Sequence, residues 1–218
     1  MVTKQACRLL ALCLLIISVS ACGLVLKQYG PLSLDNPILF WFRDGQDHAK
    51  LAGPAWMTQF WLSVSWLGDT APRLLAAGLG ITLLLWLHRW QSALFLAGVL
   101  LSGISLSTFI KAWVARPRPG LVPHLDLVSS MSFPSGHAFN STLFYMTLAL
   151  VLAPLLKQRR AQWGLYGFAL TSSLAIGMSR IALGVHWPSD VLASWIMAYG
   201  WLGLWVIVAR HYWPRVFA

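Results

Sequence analysis

Near the C-terminal end, between two apolar runs, lies the stretch Ser179-Arg180-Ile181-Ala182-Leu183-Gly184-Val185-His186-Trp187-Pro188-Ser189-Asp190. An arginine, an imidazole and a carboxylate are expensive to place at a membrane boundary, and together they point to chemistry on an anion. Two earlier stretches carry similar groups. One runs from Lys111 to Pro119 and holds Arg116 and Arg118; the other is Pro134-Ser135-Gly136-His137. Lys111, Arg118 and Arg180 are three cations for a multiply charged anion, and arginine forks suit phosphate oxygens. Pro134-Ser135-Gly136 reads as a turn opening a helix, where free N–H groups and the helix dipole favour an anion. Two histidines fit a divided task, one attacking phosphorus and the other protonating the leaving oxygen. Asp190, one helical turn after His186, could hold that ring in the tautomer that frees the attacking nitrogen.

The elements that must position these groups are membrane helices. Of 218 residues, 58% are hydrophobic and only 10% charged, with a mean hydropathy of +0.67. A soluble domain carries roughly a quarter charged residues, so this chain is expected to be a single integral membrane domain. Thirteen tryptophans fit the aromatic belts of membrane interfaces. The net charge of +10 does not imply nucleic acid, because the basic residues are scattered between apolar runs and form no stripe along one face. Membrane surface and a phosphorylated lipid are the better partners. Cys7, Cys13 and Cys22 all lie in the first apolar run and suggest neither a disulfide framework nor a zinc site.

Apolar periodicity predicts an all-α bundle of six transmembrane helices, spanning about 9–26, 73–87, 91–110, 138–156, 163–181 and 191–208. The first run also resembles a signal peptide, with Val19-Ser20-Ala21-Cys22 like a lipoprotein processing site, but the chain continues as membrane and a first span is the better reading. Between the first two spans, Met57, Phe60, Trp61, Val64 and Leu67 recur at helical spacing. They suit an amphipathic helix in the interface, or one packed on the bundle. The short, basic turns hold Arg89 and the Lys157–Arg160 cluster and are read as cytoplasmic, together with both termini. Lys111, Arg118, His137, Arg180, His186 and Asp190 then all reach the opposite, outer face. His48, His88, His124 and His211 lie outside the three stretches and read as surface or interface histidines. Asp126 could touch a headgroup but reads better as solvated, and the role of Arg116 stays open.

The three stretches together resemble the signature of the type 2 phosphatidic acid phosphatase (PAP2) superfamily, which includes vanadium haloperoxidases and bacterial acid phosphatases. Lysine, six residues, then arginine-proline is Lys111, Arg118, Pro119; the second block is Pro134-Ser135-Gly136-His137; the third is Ser179-Arg180, five residues, His186, three residues, Asp190. The blocks cover residues 111–190, and the first 50 residues carry none of the resemblance. It implies that His186 is the nucleophile, oriented by Asp190, and that His137 is the leaving-group acid. Lys111, Arg118, Arg180, Ser135 and the Gly136 amide would bind the phosphoryl oxygens. It also implies a reaction with no cofactor and no metal, the cations supplying the charge stabilisation.

The expected substrate is a membrane lipid phosphate or diphosphate reached from the outer side of a bacterial inner membrane. Undecaprenyl diphosphate is the first choice, on family frequency alone. Phosphatidylglycerophosphate, phosphatidic acid and the lipid A 1-phosphate are alternatives, as is lipid phosphotransfer. A haloperoxidase is disfavoured by the membrane spans, and a non-catalytic lipid-binding protein by the intact signature.

Overall fold

The computed structural model describes residues 2–217, and helices account for 74% of the chain, with no strand among the described residues. α1 (Val2–Tyr29) leads into a polar segment bearing two short helices, α2 (Asp35–Trp41) and α3 (Trp56–Trp66). α4 (Thr70–Trp86), α5 (Trp90–Val114), α6 (Gly136–Leu152), α7 (Arg159–Ala182) and α8 (Pro188–Tyr212) follow. A 3-10 turn, Ala153–Leu155, extends α6, and another, Pro214–Phe217, closes the described chain.

Four helices are both long and apolar enough to cross a bilayer: α1 over Lys4–Tyr29, α5, α6 with its extension to Leu155, and α8. At 1.5 Å per residue, a helix of 25 residues is about 38 Å long, against a hydrocarbon core of roughly 30 Å. α4 is apolar but only 17 residues long. α7 has the length, but glycines, Thr171, Ser172, Ser173, Ser179 and its arginines dilute its hydropathy. Length and hydropathy together therefore single out four of the six expected spans. The Phe60 and Trp61 periodicity corresponds to α3, which packs against α7. Ser65 is its one fully buried residue, while Trp56, Phe60 and Trp66 face outward.

α6 is the central helix, flanked by α5, α7 and α8, while α1 lies along α8 and α4 along α5. Phe95, Leu96 and Val99 of α5 meet Phe139, Leu143 and Val151 of α6 and Met197 of α8 in the main apolar core. Close approach of α5 to α6 needs a glycine: a Cβ at Gly103 would lie 2.2 Å from Leu143 Cδ1. Polar side chains on α6 bond sideways, as with Thr142 and Ser173 of α7 at 2.9 Å and Asn140 and Ser107 of α5 at 3.4 Å. The three cysteines on α1 are free and exposed.

The bundle has two chemically distinct ends. At one, Lys4 and Arg8 of α1 meet Arg210 and His211 of α8, and Arg89 donates to the Arg215 carbonyl. At the other lie the end of α5, the start of α6, the end of α7 and the start of α8. All three signature stretches converge there.

Candidate active site

Helix termination places the third stretch. α7 stops at Gly184 in a Schellman closure, with the Gly184 N–H donating to the Ile181 carbonyl at 2.9 Å and the Val185 N–H to that of Arg180 at 3.1 Å. Gly184 has φ +75°, and a Cβ there would lie 2.2 Å from Arg43 Nη2, so both backbone and space require glycine. α8 then opens with Pro188 in its first turn. Asp190 accepts from the Trp187 N–H at 3.2 Å, which fixes its carboxylate on the side where His186 lies.

His186 is buried, and its two ring nitrogens see different surroundings. Nε2 is 3.1 Å from Arg118 Nη1, whereas Nδ1 is 3.7 Å from Asp190 Oδ2 and 3.4 Å from Ser132 Oγ. The Ser132 hydroxyl donates to Asp190 in a short hydrogen bond and so presents an acceptor lone pair to Nδ1–H. The carboxylate therefore acts on the ring largely through Ser132. Burial first, then Arg118, Lys111 and Arg180, push the His186 pKa well below the usual histidine value of 6.5. A neutral ring with its proton on Nδ1 leaves the Nε2 lone pair facing the cations. This tautomer is inferred from the partners.

Those cations line a cavity of about 200 Å³ together with Gly136, His137, His186 and residues 127–130. No carboxylate lines it. Lys111 Nζ donates to the Met131 carbonyl at 2.6 Å, and Arg118 Nε to the Ser130 carbonyl at 2.8 Å. Arg180 donates through Nη1 to Ser65 and Asp126, while its Nε is buried without an acceptor. Burial and the nearby Arg180 lower the Arg118 pKa to about 10, against the smaller opposing pull of Asp190 and Asp126. An anion entering this cavity would relieve the repulsion between the two cations. Among the described residues, no group of three or more His, Cys, Asp or Glu side chains could hold a metal ion.

Of the expected phosphate binders, Lys111, Arg118, Arg180 and Gly136 meet at the cavity. Ser135 stands behind it: fully buried, it caps α6 by accepting from the Ala138 N–H at 3.5 Å, and its own N–H goes to Ser194 at 2.8 Å. His137 reaches the cavity wall from the first turn of α6, with Nε2 2.7 Å from Asp69. Asp126, read from sequence as solvated, instead pairs with Arg180. Arg116 turns away from the cavity into a buried network: it donates to Asp190 and, at 2.9 Å, to Ser189, and lies 3.4 Å from Asp35. Asp35 in turn accepts from the Ser189 N–H at 2.8 Å and from its hydroxyl at 2.7 Å.

Asp35, Asp69 and Ser132 escaped the sequence reading, and the pairing of Asp126 with Arg180 did too. Scarcity was the available signal for the acids. The chain has six acidic residues in all, and Asp35, Asp69, Asp126 and Asp190 each contact an arginine or histidine at this end of the bundle. In a chain so poor in carboxylates, each one near the bilayer warrants a partner.

The profile of the PAP2 superfamily matches residues 92–214. The chain is 30% identical over 152 residues to phosphatidylglycerophosphatase B of Bacillus subtilis, covering 67% of this chain and 72% of that protein. It is 32% identical over 105 residues to an undecaprenyl-diphosphatase of the same organism, covering 45% of this chain and 48% of the relative. In three dimensions it resembles the crystal structure of a transmembrane PAP2-type phosphatidylglycerolphosphate phosphatase from Bacillus subtilis, with a TM-score of 0.73 at 23% identity, over 94% of this chain and 96% of that one. That likeness speaks to the fold. The profile match covers more than half of the chain and includes all three stretches, and the chain accordingly belongs to the PAP2 superfamily.

Proposed function

We propose that this protein is a membrane lipid phosphatase that works through a phosphohistidine. The observation that carries this reading is a small cavity walled by Lys111, Arg118 and Arg180, free of carboxylates, with His186 Nε2 at its edge. The cations hold the phosphoryl oxygens and stabilise the charge of the transition state. His186 Nε2 forms a bond to phosphorus as the bond to the leaving oxygen breaks, and His137 gives that oxygen a proton. Water then attacks the phosphohistidine, returning a proton to His137 and releasing phosphate. Asp190 and Ser132 keep the His186 proton on Nδ1 throughout.

The bilayer reading goes further. α7 begins at the basic Arg159–Arg160 end and finishes at Arg180 beside the site, so it covers the same thickness as α6 despite its lower hydropathy. α4, packed along α5, makes the matching traverse. We therefore read six crossings, with α3 at the interface beside the site. The start of α1 and the end of α8 lie at the basic end, which the positive-inside rule assigns to the cytoplasm. The cavity then opens to the outer side of a bacterial inner membrane.

The phosphate sits at headgroup depth while the lipid tail stays in the bilayer. Undecaprenyl diphosphate, favoured by family frequency, has support from the undecaprenyl-diphosphatase relative. Phosphatidylglycerophosphate is the second reading, supported by the relative that aligns over the larger share of both chains. The test is phosphate release by purified protein from a panel of undecaprenyl diphosphate, phosphatidylglycerophosphate, phosphatidic acid and lipid A, each with and without EDTA. Turnover of at least one lipid, unaffected by EDTA, is expected. No turnover of any of them, or activity that EDTA removes, would refute the proposal.

A further inference from the structure

We propose that Asp69 is the positioning residue for His137, giving the leaving-group acid a carboxylate of its own, as His186 has Asp190. The inference rests on the phosphatase reading above, and Asp69 lies outside residues 92–214, the part matched by the superfamily profile.

Three observations carry it. Asp69 Oδ1 lies 2.7 Å from His137 Nε2, across 68 residues of sequence. Asp69 also occupies the N-cap of α4, where an aspartate normally accepts a backbone N–H of its own helix, yet it makes no such bond. Its carboxylate has been diverted from the local bond to the histidine. Finally, the residue before it is a glycine against which the imidazole packs: a Cβ at Gly68 would lie 3.1 Å from His137 Cδ2 and 2.5 Å from Ile176. The loop 68–69 is thereby able to lie flat against the ring.

The consequence is a choice of nitrogen. With Nε2–H held by Asp69, Nδ1 is the nitrogen left to serve the reacting atoms, and it makes no hydrogen bond to the protein among the described residues. When the bond from phosphorus to the leaving oxygen breaks, Nδ1–H passes its proton to that oxygen. The neutral ring, still held at Nε2, then takes a proton from the attacking water. Asp69 keeps its negative charge throughout: its pKa lies below the ordinary carboxylate value, chiefly because of the hydrogen bond from His137.

Leaving-group dependence separates a positioning role from a purely structural one. Purified wild type, Asp69→Asn and Asp69→Glu are compared on an alkyl phosphate and on a nitrophenyl phosphate bearing the same tail. The alkoxide needs a proton to leave; the nitrophenolate does not. Asp69→Asn should lower kcat on the alkyl phosphate by about a hundredfold, within the range of general acid catalysis, and by less than about tenfold on the aryl phosphate. KM and the thermal unfolding midpoint should change little, and Asp69→Glu should recover part of the alkyl activity. Equal losses on both substrates, or no loss on the alkyl phosphate, would overturn the role of Asp69 while leaving the phosphatase reading intact. A wild type inactive on both substrates would overturn the two together.

Discussion

Arg116 offers the sharpest test of how the site is held. It is 1% exposed and stands between Asp35 and Asp190, themselves 1% and 0% exposed. Arg116→Met preserves the apolar bulk but leaves two carboxylates buried without a cation. Asp190 keeps the Ser132 hydroxyl and the Trp187 N–H, and Asp35 keeps both Ser189 donors, but these bonds already exist in the parent and replace nothing. Removing one partner from a buried ion pair costs about 3–5 kcal/mol. At roughly 2–4 °C per kcal/mol for a chain of this size, the unfolding midpoint should fall by on the order of 10 °C. Function should fall further. One carboxylate will take up a proton to escape the unpaired charge, and a neutral Asp190 no longer draws the Ser132 hydroxyl into line with His186. Loss of the correct histidine tautomer costs about four orders of magnitude in kcat in the serine protease triad, and a decrease of at least a hundredfold is expected here. Arg116→Lys keeps the charge but lacks the fork that reaches both acids, so it should be intermediate. Asp35→Asn leaves the Arg116–Asp190 pair in place and should reduce stability more than kcat. The assay is thermal unfolding in detergent alongside phosphate release. An Arg116→Met protein with parental midpoint and turnover, or an Asp35→Asn protein more impaired in kcat than Arg116→Met, would refute the reasoning.

Other outcomes follow from the same geometry. His186→Ala should abolish phosphate release and His137→Ala should reduce it by about two to four orders of magnitude, with folding intact in both; full turnover by His186→Ala would end the phosphohistidine mechanism. The nucleophile must be neutral, and burial and the neighbouring cations disfavour its protonated form. The acid limb of kcat/KM should therefore lie below pH 6.5 and move upward in Arg118→Gln, where one of those cations is gone. An acid limb at or above 6.5 in the parent would contradict this assignment. A reporter fused after Arg160 should be cytoplasmic, and periplasmic activity there would invert the orientation.

The sequence alone carried the helical class and the phosphatase family. Long apolar runs declare themselves because a bilayer demands about 20 apolar residues in a row. The signature stretches are equally legible because each is local: His186 and Asp190 are one turn apart on a loop and helix start, and Ser135-Gly136-His137 is a helix opening. Tertiary structure decided what depends on partners distant in the chain. Arg116 and Arg118 flank one proline and look alike in sequence, yet one is buried against carboxylates and the other faces the cavity. No local periodicity encodes that choice, since the partners of Arg116 lie 74 and 81 residues away. The same reason hid the partners of Asp35, Asp69 and Asp126 within polar segments, and packing is what buries Ser135 as the cap of α6. A buried charge must find its counter-charge wherever the fold brings one, and that meeting is settled only when the helices pack.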